Sequence, residues 1–229
     1  MQKLSLIIPA AGSGVRLGSD IPKPFIKIGD KTILEHAISR FTALPNLVQV
    51  IVATSKGYIS TVKGIAGNIS SDIDFVVVEG GRERQFSIHN ALQHVSGEAE
   101  LVAVHDAVRP FIRPRLIAEC CEVAAKIGGA IIGVPAKDTI KKVNEIGRVI
   151  ETPDRSVLWQ AQTPQVFRKS LIIEAYRSAI DTEYVGTDDA SLVEKIGGQV
   201  HMVEGDRENL KITYPVDLKI AELILSEHE

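Results

Sequence analysis

Short apolar runs rich in β-branched residues recur along the chain. They are separated by stretches in which apolar positions return every three to four residues. The runs Leu4–Ile8, Val48–Thr54, Phe75–Glu79, Leu101–His105, Ala130–Val134 and Val200–Glu204 are almost continuously hydrophobic, as expected of strands buried on both faces. Helical spacing falls in Thr32–Leu44, Arg82–Val95, Pro114–Ile127, Lys169–Ile180, Thr187–Ile196 and Pro215–Ser226. Strand and helix in alternation imply right-handed βαβ units on a mostly parallel central sheet. The expected fold class is therefore α/β, a Rossmann-like single domain over residues 1–229.

One stretch breaks the alternation. Thr139–Val143 and Arg148–Glu151 flank Asn144-Glu145-Ile146-Gly147, which predicts a β-hairpin. Lys141, Lys142, Arg148 and Glu151 make it too polar for a sheet interior. The pattern fits both a surface flap and a protruding arm, residues 137–155, that packs on another subunit.

Composition adds limits. Hydrophobic residues are 45% and charged residues 24% of 229, ordinary globular values that exclude a disordered, collagen-like or disulfide-framework protein. A formal net charge of −3 argues against duplex nucleic acid as a partner, yet leaves room for a small anion bound by local cations. Cys120 and Cys121 are adjacent and have no zinc-site spacing; two free thiols in helical context fit a reducing compartment. No apolar run approaches the ~18 residues of a membrane span, and Leu4–Ile8 is too short for a signal sequence. The expectation is a soluble cytoplasmic protein with no membrane partner.

Ligands of open α/β sheets bind beyond the carboxyl ends of the strands, and there the chemistry gathers. Pro9-Ala-Ala-Gly-Ser-Gly-Val-Arg-Leu-Gly18 and Pro22-Lys23-Pro24 follow the first strand, Gly80-Gly81-Arg82-Glu83-Arg84 the third, and Asp106, Arg109 and Arg113 the fourth. Lys137 follows the fifth, and Arg207 and Lys211 the last. Cations collect at one end of the sheet in an acidic chain, which points to an anion site. The glycine loop is not a dinucleotide fingerprint, because its third glycine falls one residue late and two prolines follow. Nor is it a Walker loop, since no Gly-Lys-Ser/Thr follows. Small residues let backbone N–H groups approach phosphate oxygens, while Arg16 and Lys23 supply charge for a polyphosphate. Asp106, at a strand end beside such a site, is a candidate magnesium ligand, directly or through water.

These motifs together resemble the 2-C-methyl-D-erythritol 4-phosphate cytidylyltransferase family of the non-mevalonate isoprenoid pathway. The resemblance is carried in order by Pro9-Ala-Ala-Gly-Ser-Gly-x-Arg16, Pro22-Lys23, Gly80-Gly81-x-x-Arg84-x-x-Ser87 and His105-Asp106-Ala-x-Arg109-Pro110. It continues through Asp138-Thr139, Asp154-Arg155, Gln162-Thr163-Pro164-Gln165, Thr187-Asp188 and Lys211-Ile-Thr213. It implies a nucleotidyltransferase that moves CMP from CTP to methylerythritol phosphate and releases pyrophosphate, with Mg²⁺ bound mainly through the CTP phosphates. By the same resemblance Ala10, Ala11, Gly12, Arg16 and Lys23 hold CTP, Gly81 and Ser87 recognise cytosine, and Asp106 lies near ribose, metal and substrate. Arg109, Thr163, Thr187, Asp188 and Lys211 belong to the substrate pocket and catalytic centre, with Arg16, Lys23 and Lys211 as the catalytic cations. Thr139 and Arg155 are contacts supplied by a neighbouring subunit, which favours the arm and a homodimer. The chain departs from the family pattern with Arg at 82, Pro at 24 and Asp rather than Glu at 189. A rival family acting on ribitol 5-phosphate opens its glycine loop with Leu-Ala-Gly-Gly, unlike Pro9-Ala-Ala-Gly12 here. A non-catalytic nucleotide-binding module would not need so many cations.

Overall fold

The computed structural model describes residues 1–12, 21–67 and 72–227. In chain order the first half holds β1 (Leu4–Ala10), β2 (Lys27–Ile28), β3 (Lys31–Thr32), α1 (Ile33–Thr42), β4 (Leu47–Thr54), α2 (Ile59–Ala66), β5 (Asp74–Glu79), α3 (Arg84–Leu92) and β6 (Leu101–Val104). The second half holds α4 (Pro114–Ile127), β7 (Gly129–Pro135), β8 (Lys142–Val143), β9 (Val149–Glu151), β10 (Trp159–Arg168), α5 (Lys169–Asp181), α6 (Asp189–Lys195), β11 (Val200–Glu204) and α7 (Pro215–Glu227). Seven strands form one sheet in the order β11-β7-β10-β6-β1-β4-β5. All neighbours are parallel except β10, which runs antiparallel to both β6 and β7.

In β1, β4, β6 and β7 the continuous hydrophobic runs are buried on both faces, whereas the edge strands β5 and β11 are only partly buried. Leu4, Leu6, Ile8, Val50 and Val52 face one core layer, with α1 and α4; Ile7, Ile51 and Ala53 face the other, with α3, α5 and α6. Thr32 starts α1 with a reciprocal capping box to Glu35, and Pro114 enters α4 in its first turn, where no N–H is needed. Gly128, at φ +124°, lets the chain pass directly from α4 into β7. Cys120 and Cys121 are buried helix residues, and burial raises both thiol pKa values. Among the described residues no helix is long and apolar enough to cross a membrane.

Four elements depart from expectation: β10, α2 and the paired two-residue strands β2 and β3. Residues 159–168 form β10, a strand hidden in the sequence by Pro164 and three glutamines. Its ladder to β7 shifts between Ala161 and Gln165, and its pairing to β6 starts at Gln165. Pro164 therefore sits in a bulge, where its missing N–H costs no ladder bond. The second is α2, whose Ile, Thr and Val residues favour strands as much as helices.

The hairpin forms as predicted. Asn144 and Arg148 pair through their backbones, the Asn144 side chain accepts from Arg148 N at 2.9 Å, and Gly147 turns at φ +79°. The arm is solvent-exposed and displays Val143, Ile146, Val149, Ile150 and Val157. Elsewhere a small cluster of Ile28, Ile33, Phe111, Ile212 and Ala221 ties α7 to β2 and fixes the segment that carries Lys211.

Candidate active site

A cleft of ≈ 670 Å³ opens beyond the carboxyl ends of β1, β5 and β6. It gathers Ala10 from the end of β1 with Ala11 and Gly12 after it, Lys23 from the following turn, Gly81, Arg82 and Glu83 from the loop before α3, Arg84 and Ser87 from the start of α3, Asp106 after β6, and Lys211. Eight residues named from the sequence thus share one cleft: Ala10, Ala11, Gly12, Lys23, Gly81, Ser87, Asp106 and Lys211. Arg16 lies outside the described residues.

Local sequence explains how these walls come together. A Cβ on Gly80 would collide with that of Ala11, so only glycine lets the loop after β5 meet the loop after β1. Ser87 holds that loop by accepting from Gly81 N at 3.0 Å and donating to the Glu83 carbonyl at 3.1 Å. Helix α3 starts at Arg84 rather than Arg82, leaving Gly81–Glu83 as loop in the cleft wall. The Arg82 guanidinium lies over the Phe86 ring, 4.6 Å from its centroid. Lys23 is buried in a single 3₁₀ turn, and its Nζ donates to the Thr213 carbonyl at 2.5 Å. That bond joins the two segments bearing Lys23 and Lys211.

Asp106 is the electrostatic centre. Its Oδ1 accepts from Arg84 Nε at 3.2 Å, while Oδ2 lies 2.8 Å from Lys211 Nζ and 3.7 Å from Arg109 Nε. Burial alone would raise its pKa; Arg84, Lys211 and Arg109 reverse that and hold the carboxyl well below the usual range. Arg84 extends the cluster inward. Its Nη1 and Nη2 form a bidentate pair with the fully buried Asp189 at 3.1 and 2.8 Å, and the Tyr176 hydroxyl donates to the same carboxylate at 2.5 Å. Burial would lower the Arg84 pKa, but Asp189 and Asp106 raise it overall.

His105 is structural, with both ring nitrogens held by protein groups. Nε2 lies 2.9 Å from the Arg109 carbonyl, which can only accept, so Nε2 carries the proton. Nδ1 then accepts from the Thr163 hydroxyl at 3.1 Å, and Thr163 Oγ1 accepts from Asp106 N at 3.0 Å. Burial pushes the His105 pKa down to about 4. Thr163 is therefore buried beneath the cleft, where it sets the Asp106 backbone.

A second pocket of ≈ 260 Å³ shares Lys211 with the cleft and adds Arg109, Gln160, Gln162 and Arg207. Arg109 Nη1 donates to the Asn209 carbonyl at 2.6 Å. Asn209 in turn donates to Gln162 Oε1 and the Thr163 carbonyl, at 3.0 and 2.9 Å. The other expected residues lie apart from both cavities. Thr187 is exposed before α6, and Asp188 caps that helix through Ser191 N while accepting from Gln165 Nε2 at 2.8 Å. Thr139 and Arg155 are exposed on the arm, with Arg155 donating to the Lys137 carbonyl at 3.1 Å. Sequence reasoning assigned no role to Arg84, Gln162, Gln165 or Asn209. The only hints were the cation motif of Arg84 and the polar residues crowding β10.

The donor set bears on a divalent cation. Among the described residues no group of three His, Cys, Asp or Glu side chains could hold a metal, and Asp106 and Glu83 are the only acidic residues among those described that line the cleft. One carboxylate suits an ion that keeps most of its ligands from phosphate and water, as Mg²⁺ does.

The chain is similar to known proteins over nearly its whole length. The family model described as IspD, 2-C-methyl-D-erythritol 4-phosphate cytidylyltransferase, matches residues 4–227. A 2-C-methyl-D-erythritol 4-phosphate cytidylyltransferase from Clostridioides difficile (strain 630) is 45% identical over 222 residues, covering 97% of this chain and 93% of the relative. The crystal structure of 4-diphosphocytidyl-2C-methyl-D-erythritol synthase from Anaerococcus prevotii superposes with a TM-score of 0.87 at 29% identity, covering 98% of this chain and 99% of that one. The 2-C-methyl-D-erythritol 4-phosphate cytidylyltransferase structure from Thermus thermophilus gives 0.80 at 32% identity, with 98% and 99% covered.

Proposed function

This chain belongs to the 2-C-methyl-D-erythritol 4-phosphate cytidylyltransferase family, a transferase that moves a cytidylyl group from CTP to methylerythritol phosphate, and we propose that it does so by holding both anions against one cationic cleft. A phosphate oxygen of methylerythritol phosphate attacks the α-phosphorus of CTP. The new P–O bond forms as the α–β bridge breaks, and pyrophosphate leaves. The nucleophile is already anionic near pH 7, because a phosphate monoester has its second pKa near ~6, so no general base is required. Catalysis then consists of positioning and charge stabilisation. The observation that supports this reading is the meeting of Arg84 and Lys211 at Asp106 in a cleft that Lys23 also lines.

In this scheme the loop backbone from Ala10 to Gly12, with Arg16 and Lys23, receives the triphosphate. Gly81 and Ser87 meet the cytosine. Asp106 is the carboxylate that would hold a Mg²⁺ carried by the CTP phosphates, and the ion would supply charge neutralisation there. Lys211 stands between the two cavities and stabilises charge on the transferring phosphoryl group. Arg109 holds the substrate phosphate in the second pocket, and Thr163 fixes the Asp106 backbone beneath the cleft. Thr139 and Arg155 complete the site of a second subunit in a homodimer built through the arm.

The test is pyrophosphate release from CTP with methylerythritol phosphate against ribitol 5-phosphate, each with and without Mg²⁺. Release with the first substrate, dependent on Mg²⁺, is expected. Faster release with ribitol 5-phosphate overturns the assignment of substrate, and undiminished release in metal-free buffer overturns the role given to Mg²⁺.

A further inference from the structure

We propose that Asp189 and Tyr176 are positioning residues for the transfer, holding Arg84 so that it meets Asp106 through Nε alone. The proposal rests on the placement of Asp106 in the reacting cleft. Four side chains from four parts of the chain form a line from the core to the cleft: Tyr176 on α5, Asp189 in the first turn of α6, Arg84 at the start of α3, and Asp106 after β6. The Tyr176 hydroxyl donates to Asp189 Oδ1, Asp189 takes both terminal nitrogens of Arg84, and Arg84 Nε reaches Asp106 Oδ1 at 3.2 Å. Asp189 and Tyr176 line neither cavity.

The guanidinium explains the effect. It is planar, and its donors form a rigid fork. With both Nη groups engaged by Asp189, the fork can offer Asp106 only its edge. Oδ2 of Asp106 is left to Lys211 at 2.8 Å. Without Asp189, the fork would be free to turn and grip both oxygens of Asp106, a stronger bidentate arrangement, and would compete with Lys211 for Oδ2. Three cations (Arg84, Arg109 and Lys211) against two carboxylates (Asp106 and Asp189) leave one positive charge in excess where an anionic substrate must bind. The Asp189 carboxylate is itself kept in place by Tyr176 and by its position in the first turn of α6, the end of a helix that favours an anion.

A buried ion pair is weak evidence for a role in stability, since apolar residues of similar volume often serve the fold as well. A positioning role makes a distinct prediction. Steady-state pyrophosphate release is measured for four proteins: wild type, Tyr176→Phe, Arg84→Lys, and the double variant. Tyr176→Phe keeps the buried ring and removes one hydrogen bond to a charged group, so kcat falls about tenfold while KM for CTP stays within about twofold. Arg84→Lys keeps the charge but has no fork to orient, so adding Tyr176→Phe to it changes kcat by less than about twofold. The same tenfold factor in both backgrounds, or an unchanged kcat in Tyr176→Phe, overturns the proposal, because a merely structural tyrosine acts alike whether or not the fork is present. Asp189→Asn, which keeps the shape and removes the charge, is measured beside them and is expected to show the same dependence on Arg84. A wild-type protein with no turnover on CTP and methylerythritol phosphate instead overturns the functional reading.

Discussion

At the scale of single residues, the proposed reaction separates groups that would act on a ligand from groups that hold the actors. Lys23 belongs to the first kind. Its stem is buried and its ammonium donates to the Thr213 carbonyl, a charge-assisted bond worth about 1.5–3 kcal/mol to the fold. A preorganised charge at a developing phosphoryl anion is worth roughly 10²–10³ in rate. Lys23→Ala should therefore lose kcat by that factor while a urea titration shows a loss of only a few kcal/mol; near-wild-type turnover would remove Lys23 from the reaction. His105 is of the second kind, neutral and buried between Thr163 and Arg109. Its pKa is about 4 when folded and ~6.5 when the chain is unfolded. Between those values the unfolded chain binds more protons, so stability falls as pH drops from ~6.5 towards 4, by about 3 kcal/mol from this group. Asp106 acts lower: its depressed pKa gives stability above ~4, lost only as pH falls further. Denaturant midpoints at about pH 7 and about pH 4.5 check this, with a steep difference in the wild type and a flatter one in His105→Gln. Equal slopes for the two proteins would assign the pH dependence elsewhere.

At the scale of elements, the loops do the binding and the termini of helices hold the loops. Helix α6 begins with Asp188, whose side chain caps Ser191 N and also accepts from Gln165, itself bonded to Ala190 N. Asp188→Ala should cost about 1–2 kcal/mol, for the lost cap and the orphaned glutamine amide, measurable as a lower urea midpoint with an unchanged slope. Six strands were legible in the sequence to within two residues at either end; in β1, β4, β6 and β7 burial on both faces leaves an unbroken apolar run, and the edge strands β5 and β11 keep apolar runs though only partly buried. The strand β10 was not, because its polar residues serve other elements: Gln162 bonds the Asp206 carbonyl, Thr163 the Asp106 N–H, and Gln165 the start of α6. A strand whose side chains fasten loops reads as a loop. The same logic applies to the site. Residues on the cleft wall announce themselves as glycine and cation motifs at strand ends. The pair Arg84–Asp189 spans 105 positions, and no local pattern links two residues that meet only after the sheet has formed.

At the scale of the whole molecule, the arm is the feature that one chain leaves unexplained. Strands β8 and β9 pair only with each other among the described residues, and their hairpin exposes Val143, Ile146, Val149 and Ile150 to solvent, an arrangement marginal in isolation. A two-fold assembly would cover those side chains and carry Arg155 to the partner's cleft, the symmetric arrangement typical of homodimers. Mixing variants tests this. Lys23→Ala and Arg155→Ala homodimers would each have two damaged sites. A heterodimer of the two would have one intact site, made from the unaltered cleft of one chain and the unaltered arm of the other, beside one site damaged twice. With free exchange of equal amounts, half the dimers are mixed, so activity recovers to about one quarter of wild type. If Arg155 instead serves its own cleft, every site in the mixture carries one lesion and nothing is recovered. Dilution supplies the control: specific activity of the wild type should fall below the dimer dissociation constant, because a site shared between chains disappears with the assembly.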